Sequence, residues 1–296
     1  MEEAKAWRQD ILPLLPIALR DCLPQQAPEG LEELRIRVGR PTRLICGGGQ
    51  ETLVSWAPNR ADCADLLMRL CRQSAYAYED ELRACYMTLP GGCRVGFAGR
   101  MSEDGLRLAT PGAFNIRMAR QVKGCAGAMM PLLLKGGIAR AALLISAPGV
   151  GKTTALRDAA RQLSEAGYAV CVADERGELA GGNDGVPMLD VGPRTDVLEG
   201  CKKARALRLL LRGMSPQVLV TDELFSAEDT DAVLDASGCG VRVLASAHAE
   251  NLEDLKRRRE IYALVEQGCF DYVLALRRGR DNVLRHSVAY AKEGLG

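Results

Sequence analysis

The chain has 296 residues, 47% of them hydrophobic and 26% charged, a length that supports two domains and a composition typical of a globular protein. Its 39 basic and 38 acidic residues leave a formal charge of +1, which argues against binding nucleic acid through bulk charge while leaving room for a local basic patch. No apolar run approaches the roughly 18 residues that a membrane-spanning helix needs.

The start, "MEEAKAWRQD", is acidic, and the short apolar stretch after it carries Pro13 and Pro16, a pattern unlike a signal peptide. The expected location is cytoplasmic, with docking at a membrane complex open to it. "EELRIRVGRPTRLICGG" alternates and reads as two strands around a Gly-Arg-Pro turn. "ADCADLLMRLCRQSAYAYEDELRAC" reads as one or two helices, with Leu66, Leu67, Leu70 and Cys71 on the apolar face. "MTLPGGCRVGFAGRM" reads as a β-hairpin turning at residues 90–92, and "FNIRMAR" at residues 114–120 as a further strand. These elements predict a smaller α+β N-terminal domain over residues 1–130.

From Ala139 the pattern changes to apolar runs alternating with helices, which predicts a parallel α/β sheet over residues 131–296. The runs are "AALLIS", "YAVCVAD", "QVLVTDE" and "VRVLASAHA", with a long helix expected through "VLEGCKKARALRLLLRGM" and another near residues 227–236. All-apolar runs suit strands buried on both faces. Eleven cysteines, none in a C-x-x-C pair and several within apolar stretches (Cys85, Cys171, Cys239), read as reduced core residues.

Sites in parallel sheets lie at the carboxyl ends of the strands. Ser146, Asp174, Asp222 and His248 each follow an apolar run there. Residues 146–153, S-A-P-G-V-G-K-T, match the phosphate loop G-x-x-x-x-G-K-[ST] except at the first position. Gly149 and Gly151 let the amides of Ala147, Pro148, Gly149, Val150, Gly151, Lys152, Thr153 and Thr154 wrap phosphates, save that Pro148 has no N–H. Lys152 would reach the β/γ-phosphates, and Thr153 would supply a hydroxyl to Mg²⁺. Asp222 would hold the same ion through its water shell, and Glu223 could polarise the attacking water. A second cluster, Asp174, Glu175 and Glu178, follows another strand, so Glu175 or Glu178 could face the γ-phosphate. The stretch Arg257–Arg259 reads as a solvated helix face or as an arginine finger, and Arg194 is a second finger candidate. A finger can be worth about 10³–10⁵ in kcat. The absence of N-K-x-D weakens a GTPase reading.

The chain resembles the stage III sporulation protein AA family, relatives of the traffic ATPases of type II and type IV secretion. The resemblance rests on "GGCRVGFAGR" and "FNIRMARQVKG", then on "APGVGKTTALRD", "VADERGELA", "DVGPRTDVLEGCKKA", "RGMSPQVLVTDEL" and "SAHAENLEDL". It implies a RecA-like P-loop ATPase domain using ATP and Mg²⁺, a homo-oligomer, hexameric in form, and membrane-embedded sporulation channel proteins as partners. It places Glu178 on the catalytic glutamate of the acidic box, His248 on the histidine of the histidine box, and Glu223 on the Walker B glutamate. Two departures stand out. Asp222 stands where secretion ATPases commonly have glycine, which leaves both Glu178 and Glu223 as candidate bases. Cys93 stands where the family has histidine.

Three functions fit these residues: an ATPase motor for a secretion-like or sporulation channel, a RecA-like or AAA-type ATPase acting on nucleic acid, and a module that only holds nucleotide. An aromatic content of 4% and the lack of a basic stripe interleaved with aromatics disfavour nucleic acid. The presence of Lys152, Thr153, Asp222 and two glutamates disfavours the passive module.

Overall fold

The computed structural model describes residues 7, 11–89, 93–118, 121–182, 185–279, 281 and 283–292. The chain divides into two compact units, Met1–Gln121 and Val122–Gly296.

In the first unit, strands β1 (Leu31–Arg37), β2 (Arg40–Cys46), β3 (Gln50–Val54), β4 (Tyr86–Thr88), β5 (Arg94–Met101) and β6 (Leu108–Arg117) form one antiparallel sheet in the order β3-β2-β1-β6-β5-β4. Alternation puts Leu34, Ile36, Leu44, Val95, Phe97, Phe114 and Ile116 on the core side with Cys63, Leu66 and Leu70 of the helix Arg60–Leu70. Asn59 starts that helix. Its side chain accepts the N–H groups of Ala61 and Asp62, and Asp62 accepts the N–H of Asn59 in return. A second, shorter helix follows at Glu79–Ala84.

The first turn falls at Val38–Gly39, earlier than the expected Gly-Arg-Pro, because Gly39 supplies the left-handed φ of +69°. Pro41 already belongs to β2, before its first rung with β3 at Thr42–Val54, so its missing N–H costs no bond there. The hairpin β4–β5 forms with Thr88 opposite Arg94, and its expected turn at 90–92 lies outside the described residues. Strand β6 begins well before residue 114, because its pairing with β5 extends back to Met101–Leu108. Residues 119–120 of that expected strand also lie outside the described residues.

In the second unit, a small pair, β7 (Leu134–Lys135) and β8 (Ile138–Ala139), precedes the main sheet. The main sheet comprises β9 (Ala142–Ser146), β10 (Val170–Asp174), β11 (Thr195–Glu199), β12 (Val218–Glu223), β13 (Arg242–His248), β14 (Tyr272–Arg278) and β15 (Leu284–Ala291). Its order is β11-β10-β12-β13-β9-β14-β15, parallel except for β15, which runs antiparallel to β14. Both faces are covered, which is why the strands read as continuous apolar runs. Leu144, Val172, Val220 and Leu244 pack on the face of helix Lys152–Glu165. Leu143, Ile145, Cys171, Leu219 and Val243 pack on the opposite face with helices Lys203–Gly213, Ala227–Gly238 and Arg259–Glu266.

The helix expected through "VLEGCKKARALRLLLRGM" is shorter than its pattern. Residues Thr195–Glu199 instead pair as β11 along the open edge of β10, and Gly200 at φ +73° turns the chain before the helix starts at Lys203. All eleven cysteines are free thiols, but only Cys63, Cys71, Cys93, Cys171 and Cys269 are buried. Cys239 is exposed, since it caps the end of helix Ala227–Gly238 rather than entering the core. No helix among the described residues is long and apolar enough to cross a membrane.

Candidate active site

The sheet order places β13 between β12 and β9, so the carboxyl ends of these three strands meet. His248 lies in register with Ser146, and Glu223 with Ser246. The chain leaves β9 at Ser146, crosses residues 147–151 and enters the helix at Lys152. Gly149 and Gly151 hold φ of +77° and +117°. No side chain caps this helix start, which leaves its first amide donors for an anion. At Gly149 a Cβ would meet nothing within 4 Å, so the curl is open. At Gly151 a Cβ would lie 2.9 Å from Arg278 Nη2. Arg278, at the end of β14, donates to the Val150 carbonyl from Nε at 3.2 Å and Nη2 at 2.9 Å. Gly151→Ala is therefore expected to cost about 1–2 kcal/mol from the left-handed backbone alone, read by denaturant unfolding, and to displace Arg278 from the loop.

Lys152 is buried at 7% exposure and folded back on the loop. Its Nζ donates to the Ser146 carbonyl at 3.0 Å, Ser146 Oγ at 3.2 Å and the Ala147 carbonyl at 3.4 Å. It also lies 3.0 Å from His248 Nδ1. An ammonium has no lone pair, so Nδ1 accepts. The imidazole proton then sits on Nε2, which meets Glu223 Oε2 at 2.9 Å. Lys152, His248 and Glu223 thus form one continuous hydrogen-bonded chain across three strand ends. Burial lowers the Lys152 pKa, the Glu223 carboxylate opposes that, and the Arg258 charge adds to it. Arg258 donates to the His248 carbonyl at 3.1 Å, and its guanidinium lies 6.0 Å from the centroid of the Phe225 ring.

The acidic loop after β10 is organised around Asp174. This buried carboxylate accepts the N–H groups of Glu178 at 2.8 Å, Leu179 at 3.0 Å and Ala180 at 2.7 Å. Burial raises its pKa and Asp222 adds to that, while the Ala180 and Leu179 amides and Arg157 pull it down. Arg157, from the helix after the phosphate loop, donates to the Leu179 carbonyl at 2.5 Å and the Glu178 carbonyl at 2.6 Å. Burial lowers its pKa to about 10. Glu178 is therefore held by its backbone from both sides. Glu175 accepts the N–H of Lys203 at 3.2 Å, tying the same loop to the start of another helix.

Asp222 faces a cation of the chain itself. Lys203 Nζ lies 2.6 Å from Asp222 Oδ1 and also donates to the Glu223 carbonyl. Arg194 sits just before β11, whose first residue pairs with the first residue of β10, so it lies at the amino-terminal edge of the sheet, away from the phosphate loop. It is exposed, and its N–H donates to Ser164 Oγ at 2.7 Å. The site thus gathers the loop, Lys152, Glu223, His248 and the Glu178 loop, and leaves Arg194 at the far edge. Sequence reasoning did not single out Lys203, Arg157 or Arg278, and left Arg258 within an undifferentiated basic stretch. Only Lys203 carried a signal, because lysine at a helix N-terminus opposes the helix dipole and needs a local anion.

A family profile described as "Sporulation stage III, protein AA" matches residues 5–292. The Stage III sporulation protein AA of Bacillus subtilis (strain 168) is 40% identical over 283 residues, covering 92% of this chain and 91% of its own. Among solved structures, the Legionella pneumophila ATPase DotB matches with TM-score 0.59 at 14% identity, over 88% of this chain and 76% of its own. The pilus retraction motor PilT with bound ADP matches with TM-score 0.61 at 15% identity, over 90% of this chain and 81% of its own. These two likenesses concern the fold alone. Match and identity together place the chain in the sporulation stage III protein AA family.

Proposed function

We propose that the chain is an ATP-hydrolysing motor of the secretion-ATPase type, converting ATP and water to ADP and phosphate, that serves a mother cell–forespore channel complex during sporulation. The observation that carries the hydrolytic reading is the Lys152–His248–Glu223 chain at the mouth of an open glycine loop. The name of the B. subtilis relative supports the sporulation role.

Residues 147–154 would hold the triphosphate, and Thr153 would offer its hydroxyl to Mg²⁺. Among the described residues, no group of three or more His, Cys, Asp or Glu side chains is arranged to hold a metal ion by itself. Mg²⁺ relies on nucleotide phosphates and few protein ligands. When bound, the Mg²⁺–nucleotide supplies the phosphoryl group to be transferred. Lys152 must leave Ser146, Ala147 and His248 to meet phosphate, so nucleotide entry breaks the bond to His248 Nδ1. Glu178 is assigned the orienting of water, on the resemblance, and Glu223 the positioning of His248. The homo-oligomer, a hexamer, would place an arginine of a neighbouring copy, Arg194 or one of the exposed Arg257 and Arg259, at the site. Membrane-embedded sporulation proteins are the partners, and the cytoplasmic face of that membrane is the location.

The test is steady-state ATP hydrolysis across a protein concentration series, for wild type beside Glu178→Gln and Glu223→Gln. Specific activity is expected to rise with concentration, and Glu178→Gln to lose about 10²-fold or more. A dead Glu223→Gln beside an active Glu178→Gln would move the water-orienting role to Glu223. A flat, low rate indifferent to both changes would overturn hydrolysis and leave a module that holds nucleotide.

A further inference from the structure

We propose that Lys203 is a positioning residue for the Glu223–His248 pair, and that Asp222 is its counter-ion and not a partner of the metal. The inference rests on the ATPase reading only in its metal clause.

Three bonds converge on Lys203. Its ammonium meets Asp222 Oδ1 at 2.6 Å and the Glu223 carbonyl, and its N–H donates to Glu175 Oε2 at 3.2 Å. Both side chains of the ion pair are nearly buried, at 9% and 10% exposure. A carboxylate held in this way at the dry end of a strand has its charge already answered. Turning it to a metal would leave the Lys203 ammonium buried with only a carbonyl for company, which is strongly unfavourable. The same ammonium ties down the last peptide of β12, and the residue whose carbonyl it holds is Glu223, which carries the carboxylate that meets His248. Lys203 thus fixes the backbone from which Glu223 reaches His248, and Glu175 ties the acidic loop to the same point. Lysine at a helix start, against the dipole, is explained by the three acceptors around it.

The test reads His248 directly. The chain has two histidines, so isotope-labelled imidazole NMR of the full-length protein resolves His248 with His286 as an internal reference. Lys203→Met is expected to shift the His248 resonances, although no hydrogen bond joins Lys203 to His248 directly, and to leave His286 in place. The double variant Lys203→Met/Asp222→Leu removes both charges at once and guards against a misfolded single variant. It is expected to shift His248 in the same way. In parallel, Mg²⁺ is titrated with a non-hydrolysable ATP analogue on wild type and Asp222→Asn, and the Mg²⁺ affinity is expected to be unchanged. His248 resonances unmoved in both Lys203 variants would overturn the positioning role. A fall in Mg²⁺ affinity of about 10- to 100-fold in Asp222→Asn, the size expected for a lost partner of the metal's shell, would overturn the counter-ion role. Wild type that binds no Mg²⁺–analogue would count against the ATPase reading, and the NMR result would then decide the proposal alone.

Discussion

Lys152→Ala is expected to lower ATP hydrolysis by about 100- to 1000-fold, the range found when one preorganised donor to a transition-state anion is removed. The ammonium is buried, desolvated and held at the loop by two carbonyls and an imidazole acceptor, which it exchanges for phosphate when nucleotide enters. Folding stability should move far less. Removing a buried cation also removes its desolvation cost, which offsets part of the loss of its bonds to the Ser146 and Ala147 carbonyls. Steady-state hydrolysis beside thermal unfolding of the same sample separates the two effects. Unaltered ATPase activity in Lys152→Ala would remove the basis of the motor reading.

Asp174→Ala is expected to act in the opposite sense, through stability first. Three amides, those of Glu178, Leu179 and Ala180, lose their acceptor in a buried place, and the Arg157 guanidinium loses its nearby counter-charge. Stranding buried donors and a buried charge in this way costs about 3–5 kcal/mol. Urea unfolding of wild type and variant gives the difference. A change below 1 kcal/mol, on the order of a single exposed hydrogen bond, would mean that the acidic loop does not depend on Asp174. Asp174→Asn should lie between, since an amide keeps one acceptor oxygen for the loop.

The two predictions separate residues that the sequence had placed side by side. Asp174, Glu175, Glu178, Asp222 and Glu223 all stand at or just after strand ends, and by position alone they formed two acidic clusters in which Glu175 or Glu178 could face phosphate, Asp222 the metal and Glu223 the attacking water. In the structure they divide by what already occupies them. Asp174 caps the turn of its own loop, Glu175 meets a helix start, and Asp222 meets Lys203. Glu223 meets His248, which in turn meets the phosphate-loop lysine. The same sorting changes the arginines. Arg258 emerges from an apparently solvated run to hold the His248 carbonyl, while Arg194 lies at the opposite sheet edge.

The sequence by itself determined the local and periodic features. Apolar runs marked β9, β10, β12 and β13, because a strand covered on both faces needs apolar side chains in both directions. Gly149 and Gly151 marked the phosphate loop, because the left-handed backbone at both, and the close approach of Arg278 at Gly151, admit little else. Tertiary structure alone decided the partners. Residues 195–199 became strand β11 only because β10 had an open edge, a fact about a neighbour and not about their own pattern. Likewise, Arg278 reaches Val150 across 128 positions and Lys203 reaches Asp222 across 19. Periodicity reports which side of an element is buried. It says nothing of which charge waits on the other side, and that depends on the order in which the strands are laid down in the sheet.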